Sequence, residues 1–413
     1  MSYSYPDVYI AMPVLNEFSN LPALIESIKN QDYKGRVMVY ICVNQPESWW
    51  KDLGKIAVCN DNKRSLEFLS NLHTPCITLI DKSSAGKGWI GRKHGVGYAR
   101  REVMEAIAKV ADDDSIIISL DADTGFNPSY FDTVVKNLQK HPQAVALAVP
   151  YYHRLTGDEK ADRAILRYEI YMRYYVINLF RIGSPYAFTA LGSAIALRVK
   201  DYKSIGGITP KMSGEDFYFL QKLRKKGKIL TWNSEKVYPA ARFSDRVYFG
   251  TGPAMIKGAA GDWSSYPIYR HVWFDEIMAT YQLFTGLFAT QIKTPMDDFL
   301  EMTFPEEDIW EKLRSNAGSL KNFVRACHQK IDGLRVLQYL KWKQRQATEN
   351  NEKNLVSFLE TFFPDADILR TIQSEADFSF SKAEIGLLNE IRDYLVLEEN
   401  EYQKGIKYLS EYQ

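Results

Sequence analysis

The sequence predicts an α/β fold, a mixed, mainly parallel sheet flanked by helices, followed by an α-helical C-terminal region. Short β-rich runs alternate with helical periodicity through the first 150 or so residues. From about Trp273 the helical spacing continues with few strand-like runs. The chain has 413 residues, 46% hydrophobic and 25% charged, which is a globular composition with enough material for two to three domains.

Val8–Met12 is an apolar run, Leu21, Leu24, Ile25 and Ile28 follow at helical spacing, and Arg36–Val43 returns to a β-rich pattern. That is one β-α-β unit. A helix over about Ser65–Leu72, a strand Ile77–Ile80, a long helix over about Gly88–Val110 and a β-branched strand Ser115–Leu120 come next. A helix Ser129–Lys140 and an apolar run Ala144–Val149 extend the alternation. Ile165, Tyr168, Met172, Tyr175 and Leu179 mark one face of an aromatic helix, read first as core and second as an acceptor-binding wall. Ala194–Leu197 and Lys228–Trp232 read as strands around a helix Glu215–Lys226, and the polar run Glu349–Asn354 as a loop. The expected division is 1–255, with halves 1–125 and 126–255, and a helical extension 256–413.

Lys and Arg total 52 against 51 Asp and Glu, so no overall basic field exists to hold nucleic acid. Cys42, Cys59, Cys76 and Cys327 contain no Cys-x-x-Cys pair, which supports neither a zinc ribbon nor a disulfide framework and fits a reducing cytoplasm. Met1–Asp7 lacks the features of a signal peptide, and no apolar run approaches the roughly 18–20 residues of a membrane span. The expectation is a cytoplasmic protein, with contact at the inner face of a membrane left open.

Asp121-Ala122-Asp123-Thr124 follows the β-run Ser115–Leu120 directly. Paired carboxylates at a strand end each need a partner, and a divalent cation supplies one. Oxygen donors suit Mg2+ or Mn2+, completed by substrate phosphates. The competing reading is a solvated turn with Asp as a cap.

With these residues in place, the chain resembles the family 2 glycosyltransferases of the GT-A fold. Ala11-Met12-Pro13-Val14-Leu15-Asn16-Glu17 is similar to the family's nucleotide-holding strand and loop, and Ser84–Gly95, with Gly86-Lys87-Gly88, to its segment beside the nucleotide-sugar. Asp121-Ala122-Asp123 matches the metal-binding Asp-x-Asp, Ala190-Leu191-Gly192-Ser193-Ala194 the acceptor-side strand, and Met212–Phe217 the Glu-Asp segment. The resemblance covers roughly residues 7–255. It implies metal-dependent sugar transfer, with Mn2+ or Mg2+, from a nucleoside diphosphate to a hydroxyl acceptor: a glycan, a lipid-linked or a small molecule. Asp216 is then the general base of an inverting reaction beside Glu215. Pro13, Asn16, Glu17, Asn44, Lys87, Asp121, Ala122 and Asp123 face the donor, and Gly192, Ser193, Arg242 and Arg246 the acceptor side. Asp121, Asp123 and Asp245 are the metal candidates. On physical grounds Asn16 also reads as a helix N-cap, Lys87 can offset a diphosphate, and Glu215 and Asp216 lie near a helix start.

Two departures stand out. The family's acidic pair after the second strand is replaced by Val43-Asn44-Gln45-Pro46, and no histidine occurs between His153 and His271 to complete a metal site. Arg242-Phe243-Ser244-Asp245-Arg246 lies near the expected place and reads equally as an ion-pair cluster, and His271 is a further metal candidate. Two other functions compete. Gly86-Lys87-Gly88-Trp89-Ile90-Gly91 matches the Gly-x-Gly-x-x-Gly fingerprint of NAD-dependent oxidoreductases, and an inactive sugar- or protein-binding module is the other alternative. The C-terminal helices are in either case a candidate surface for a homo-oligomer.

Overall fold

The opening strand β1 (Val8–Val14) is buried along its whole length, which requires neighbours on both edges and both faces. After α1 (Leu21–Lys29), β2 (Val37–Asn44) pairs parallel to it, with Val8 opposite Val37 and Val14 opposite Val43. The computed structural model describes residues 5–72, 76–246, 248–305, 308–348, 350–375 and 377–405. The chain divides into two units, Met1–Ala161 with Phe188–Ile256, and Asp162–Ala187 with Lys257–Gln413.

In the first unit, α2 (Ile56–Asn71) leads to β3 (Ile77–Lys82), parallel to β2, and α3 (Val96–Val110) to β4 (Ile116–Ser119), parallel to β1 on its other side. β5 (Thr124–Phe126), α4 (Tyr130–Lys140) and β6 (Ala144–Ala148) follow. After α5 (Glu159–Arg181) come β7 (Ile195–Arg198), α6 (Val199–Ser204), α7 (Glu215–Lys226), β8 (Lys228–Leu230) and β9 (Val237–Pro239). The seven-stranded order is β3-β2-β1-β4-β7-β6-β8, and β7 runs antiparallel to both neighbours. Strand order reverses at β1, so the crevice outside β1 and β4 is a topological switch point. Because β7 is reversed, its start reaches the edge where β1 to β4 end: Ile195 lies opposite Ser119. β5 and β9 form a separate antiparallel pair.

Two expected elements shift. The helix expected from Gly88 begins at Val96, because Gly91 (φ 68°) and Gly95 (φ 106°) hold left-handed backbone. Trp89 instead exchanges backbone hydrogen bonds with Gln45 and Glu47. α2 starts nine residues earlier than its apolar pattern suggested, since Asn62 and Ser65 occupy its buried stripe.

The second unit holds most of α5, the last turn of α8 (Thr251–Ala259, most of which lies in the first unit), and the helices α9 (His271–Ala289), α10 (Asp297–Thr303), α11 (Ile309–Ser315), α12 (Leu320–Lys330), α13 (Gly333–Gln344), α14 (Asn351–Phe362), α15 (Asp367–Ser374) and α16 (Ile385–Gly405). Here α5 is buried on nearly every face, Ile165, Met172 and Leu179 among its core residues. Its Glu169 and Arg173 join Arg392 and Glu399 of α16 in a buried ion-pair network. Asn350 caps α14 by accepting from the Lys353 amide, so the polar run expected as a loop is a helix start, with Glu349 outside the described residues. No helix of the described residues is long and apolar enough to cross a membrane.

Candidate active site

Arg100 organises the carboxyl edge of the sheet. It lies on the buried stripe of α3 with Val103, Met104 and Ile107, and is 1% exposed. Its Nε donates to Glu215 Oε1 at 3.0 Å, Nη2 to Asp121 Oδ1 at 2.8 Å and Nη1 to the Gly192 carbonyl at 3.0 Å. Nη1 also donates to Ser119 Oγ, which itself donates to the Gly192 carbonyl at 2.6 Å. One guanidinium thus joins the end of β4, the segment before β7 and the first turn of α7.

Glycines make these approaches possible. A Cβ on Gly192 would sit 2.4 Å from Arg100 Nη2, and one on Gly97 would sit 2.3 Å from the Lys211 carbonyl oxygen. The bare face of α3 therefore seats the segment leading into α7, whose N-cap is Gly214 with φ 72°. Glu215 is buried against Arg100, while Asp216 Oδ1 accepts from the Phe217 amide at 2.8 Å. Neither carboxylate serves as the cap. Burial and the neighbouring Glu215 push the Asp216 carboxyl well above the usual range, against the opposing pull of Arg100.

A second cluster lies beside it. Asp123 Oδ2 accepts from Arg242 Nη2 at 2.6 Å and lies 4.0 Å from Arg246 Nη2. Both arginines also bind the buried Glu17, and Arg246 Nη1 donates to the Leu15 carbonyl at 2.7 Å. Burial, opposed by Arg242, holds the Asp123 carboxyl above its ordinary value. Asp123 feels Asp121 and Glu17, and Asp216 feels Asp121 and Glu215, so the clusters form one electrostatic unit. It contains five carboxylates, Glu17, Asp121, Asp123, Glu215 and Asp216, against the three guanidiniums of Arg100, Arg242 and Arg246.

The other expected residues are placed unevenly. Asn16 is exposed and has φ 57°, held by its amide donating to Asn62 Oδ1 at 2.9 Å; the α1 cap is Asn20, so the capping reading of Asn16 does not hold. Pro13 and Ala122 are buried. Asn44 is also buried, its amide donating to the Val14 carbonyl at 2.9 Å, and so it shapes the loop from inside. Lys87 is exposed with Nζ 3.1 Å from Asp81, whose carboxyl is lowered to about 2 by amides of Ser83 and Ser84 despite partial burial. Ser193 is buried beside Gly192. Asp245 is exposed and takes part in none of these ion pairs. His271 lies in the second unit, where its ring meets Asp275, Ser357 and Thr361. The Gly-x-Gly-x-x-Gly run does not open a helix, and the Gly86 and Gly88 amides donate instead to the Glu47 carboxylate at 2.9 and 2.8 Å.

Arg100, Asn62 and Glu47 were absent from the sequence reading. Arg100 had a readable signal, a cation on the apolar stripe of an amphipathic helix, which must find anions.

The carboxylates thus gather at the switch point of a mixed, mainly parallel sheet, the place where such sheets hold their ligands. The model of the family described as glycosyl transferase family 2 matches residues 9–206, and over that segment the chain is similar to this family. Among solved structures, it is similar to the mannosyltransferase PcManGT from Pyrobaculum calidifontis, solved with GDP-Man and Mn2+, at 14% identity and a TM-score of 0.39, over 97% of this chain and 88% of that one. S. aureus TarS is similar at 12% identity and a TM-score of 0.36 over 82% of this chain, which spans only 55% of TarS. Glucosyl-3-phosphoglycerate synthase from Mycobacterium tuberculosis follows at 13% identity and 0.34, over 56% of this chain and 74% of that one. No curated protein sequence matches the chain.

Proposed function

We propose that the chain moves a sugar from a nucleoside-diphosphate sugar to a hydroxyl acceptor at this carboxylate–arginine cluster, with Asp216 as general base and inversion at the sugar carbon. The observation that carries the reading is the imbalance of five carboxylates over three guanidiniums in a partly buried crevice. The shared arginines leave a net excess of two negative charges, which is costly in a poorly solvated place unless a cation joins them.

Asp121 and Asp123 fit such a cation. Asp121 gives Oδ1 to Arg100 and Asp123 gives Oδ2 to Arg242, leaving one oxygen of each uncommitted. Among the described residues no group of three His, Cys, Asp or Glu is set to hold a metal, so donor phosphates and water would complete the shell, as suits Mn2+ or Mg2+. The exposed Asp245 is left out of this set. When bound, the ion supplies positive charge toward the departing diphosphate.

The chain's own residues do the rest. Arg242 and Arg246, anchored on Glu17, and the exposed Lys87 present cations to phosphate, and Asn16 offers a polar side chain at the β1 edge. Asp216 keeps Oδ2 clear of the Phe217 amide, and that atom takes the acceptor proton. Thermal melting with UDP-, GDP-, CMP- and dTDP-sugars, each with and without Mn2+, tests the reading. A rise with a nucleotide-sugar that needs Mn2+ is expected; none with any donor contradicts it.

A further inference from the structure

Arg167 of α5 is 1% exposed, yet among the described residues it has no ion-pair partner. The other deeply buried arginines of the second unit are paired, Arg173 with Glu169 and Glu399, and Arg392 with Glu169 and Asp393. Nη2 of Arg167 donates to the Tyr266 carbonyl at 3.2 Å, and Nη1 has no partner. The guanidinium packs on the rings of Trp263 and Phe380, 5.0 and 4.5 Å from their centroids. Glu352, whose charge it feels, is engaged by the Phe380 amide at 3.2 Å and makes no ion pair with it.

A phenol joins the group. Tyr171 lies one helical turn on from Arg167 in α5 and interacts with it electrostatically. Burial raises this phenol far above its ordinary range, so it keeps its proton and offers an O–H donor. A water could satisfy an N–H group but leaves the buried charge unanswered, whereas an anion answers both. The planar fork of arginine suits an oxyanion in particular.

We propose that Arg167 and Tyr171 form an oxyanion-binding site in the second unit, taking the phosphate or carboxylate group of a small molecule. The proposal stands independently of the sugar-transfer reading. It is tested by melting the full chain in metal-free buffer across inorganic phosphate and malonate concentrations at constant ionic strength.

The expected result is a saturable rise in melting temperature with at least one anion, absent in Arg167→Met and with a midpoint about tenfold weaker in Tyr171→Phe. Phosphate acting alone identifies a phosphoryl ligand, and malonate acting alone a carboxylate. Without anion, Arg167→Met should melt no lower than wild type, because it removes an uncompensated buried charge. A flat response to both anions, or a rise that survives in Arg167→Met, overturns the proposal. Should that variant fail to fold, an unchanged midpoint in Tyr171→Phe overturns it equally.

Discussion

Asp216 and Asp123 hold their charges at a cost, and the cost has a direction. Each carboxyl is raised above its unfolded value, so the native state retains protons that the unfolded state has already released. Their contribution to stability is therefore most favourable at low pH and declines as pH rises through the raised values. Asp216→Asn removes one such penalty and should melt above wild type at pH 8; a lower melting point there would contradict the assigned shift. The same substitution removes the proposed base, and kcat should fall by about 10²–10⁴ with donor affinity little changed. Equal losses in kcat and donor affinity would make Asp216 a positioning residue. In wild type the acid limb of the pH–rate profile should lie above the ordinary carboxylate range, and a limb near pH 4 would argue against this base. Arg242 stands against Asp123 where the proposed cation is needed. Arg242→Met should therefore bind Mn2+ about tenfold more tightly in the absence of nucleotide, read by electron paramagnetic resonance titration. Unchanged Mn2+ affinity would mean that Arg242 and the ion do not compete.

The elements matter through the faces they leave bare. α3 carries Gly97 where it meets the segment before α7, and the Cβ of Gly97→Ala would press on the Lys211 carbonyl. Urea denaturation should show a loss of about 1–3 kcal/mol. A neutral result would mean that the 211–215 segment yields freely and that α3 does not set the position of Glu215. Strands β1 to β4 and helix α7 were legible because each contrasts an apolar period with its flanks. The three-residue strands β5 and β9 were not, since three residues establish no period, whereas the equally short β8 reads within the longer run Lys228–Trp232. The reversed direction of β7 was hidden as well, because a short apolar run reads the same in either direction. Residues 88–95 combine small and long-chain residues compatible with a helix, and it is the left-handed backbone of Gly91 and Gly95 that keeps them out of one.

At the scale of the whole chain, sequence contrast separates a strand-bearing part from a helical part, but it says nothing about which part a helix between strands joins. α5 illustrates this: its aromatic stripe reads as core, yet most of the helix belongs with the C-terminal residues. The carboxylates at strand ends were legible from local motifs. Arg242 and Arg246 were legible as a candidate ion-pair cluster, but their partner was not, since Glu17 meets them across more than two hundred residues. Within the second unit, Arg173→Met breaks a buried pair with both Glu169 and Glu399 and should cost about 3–5 kcal/mol, with hydrogen exchange accelerated in α5 and α16. Unaltered exchange in both helices would show that the network does not hold them together. The most direct test of the central claim is turnover of nucleotide-sugars with Mn2+ and a mixture of hydroxyl acceptors, following nucleoside diphosphate release and the mass of the glycosylated product in wild type, Asp123→Ala and Asp216→Asn. The account predicts one productive donor, release of its nucleoside diphosphate and product formation in wild type, and loss of both in each folded variant; turnover that persists in the two variants would contradict it.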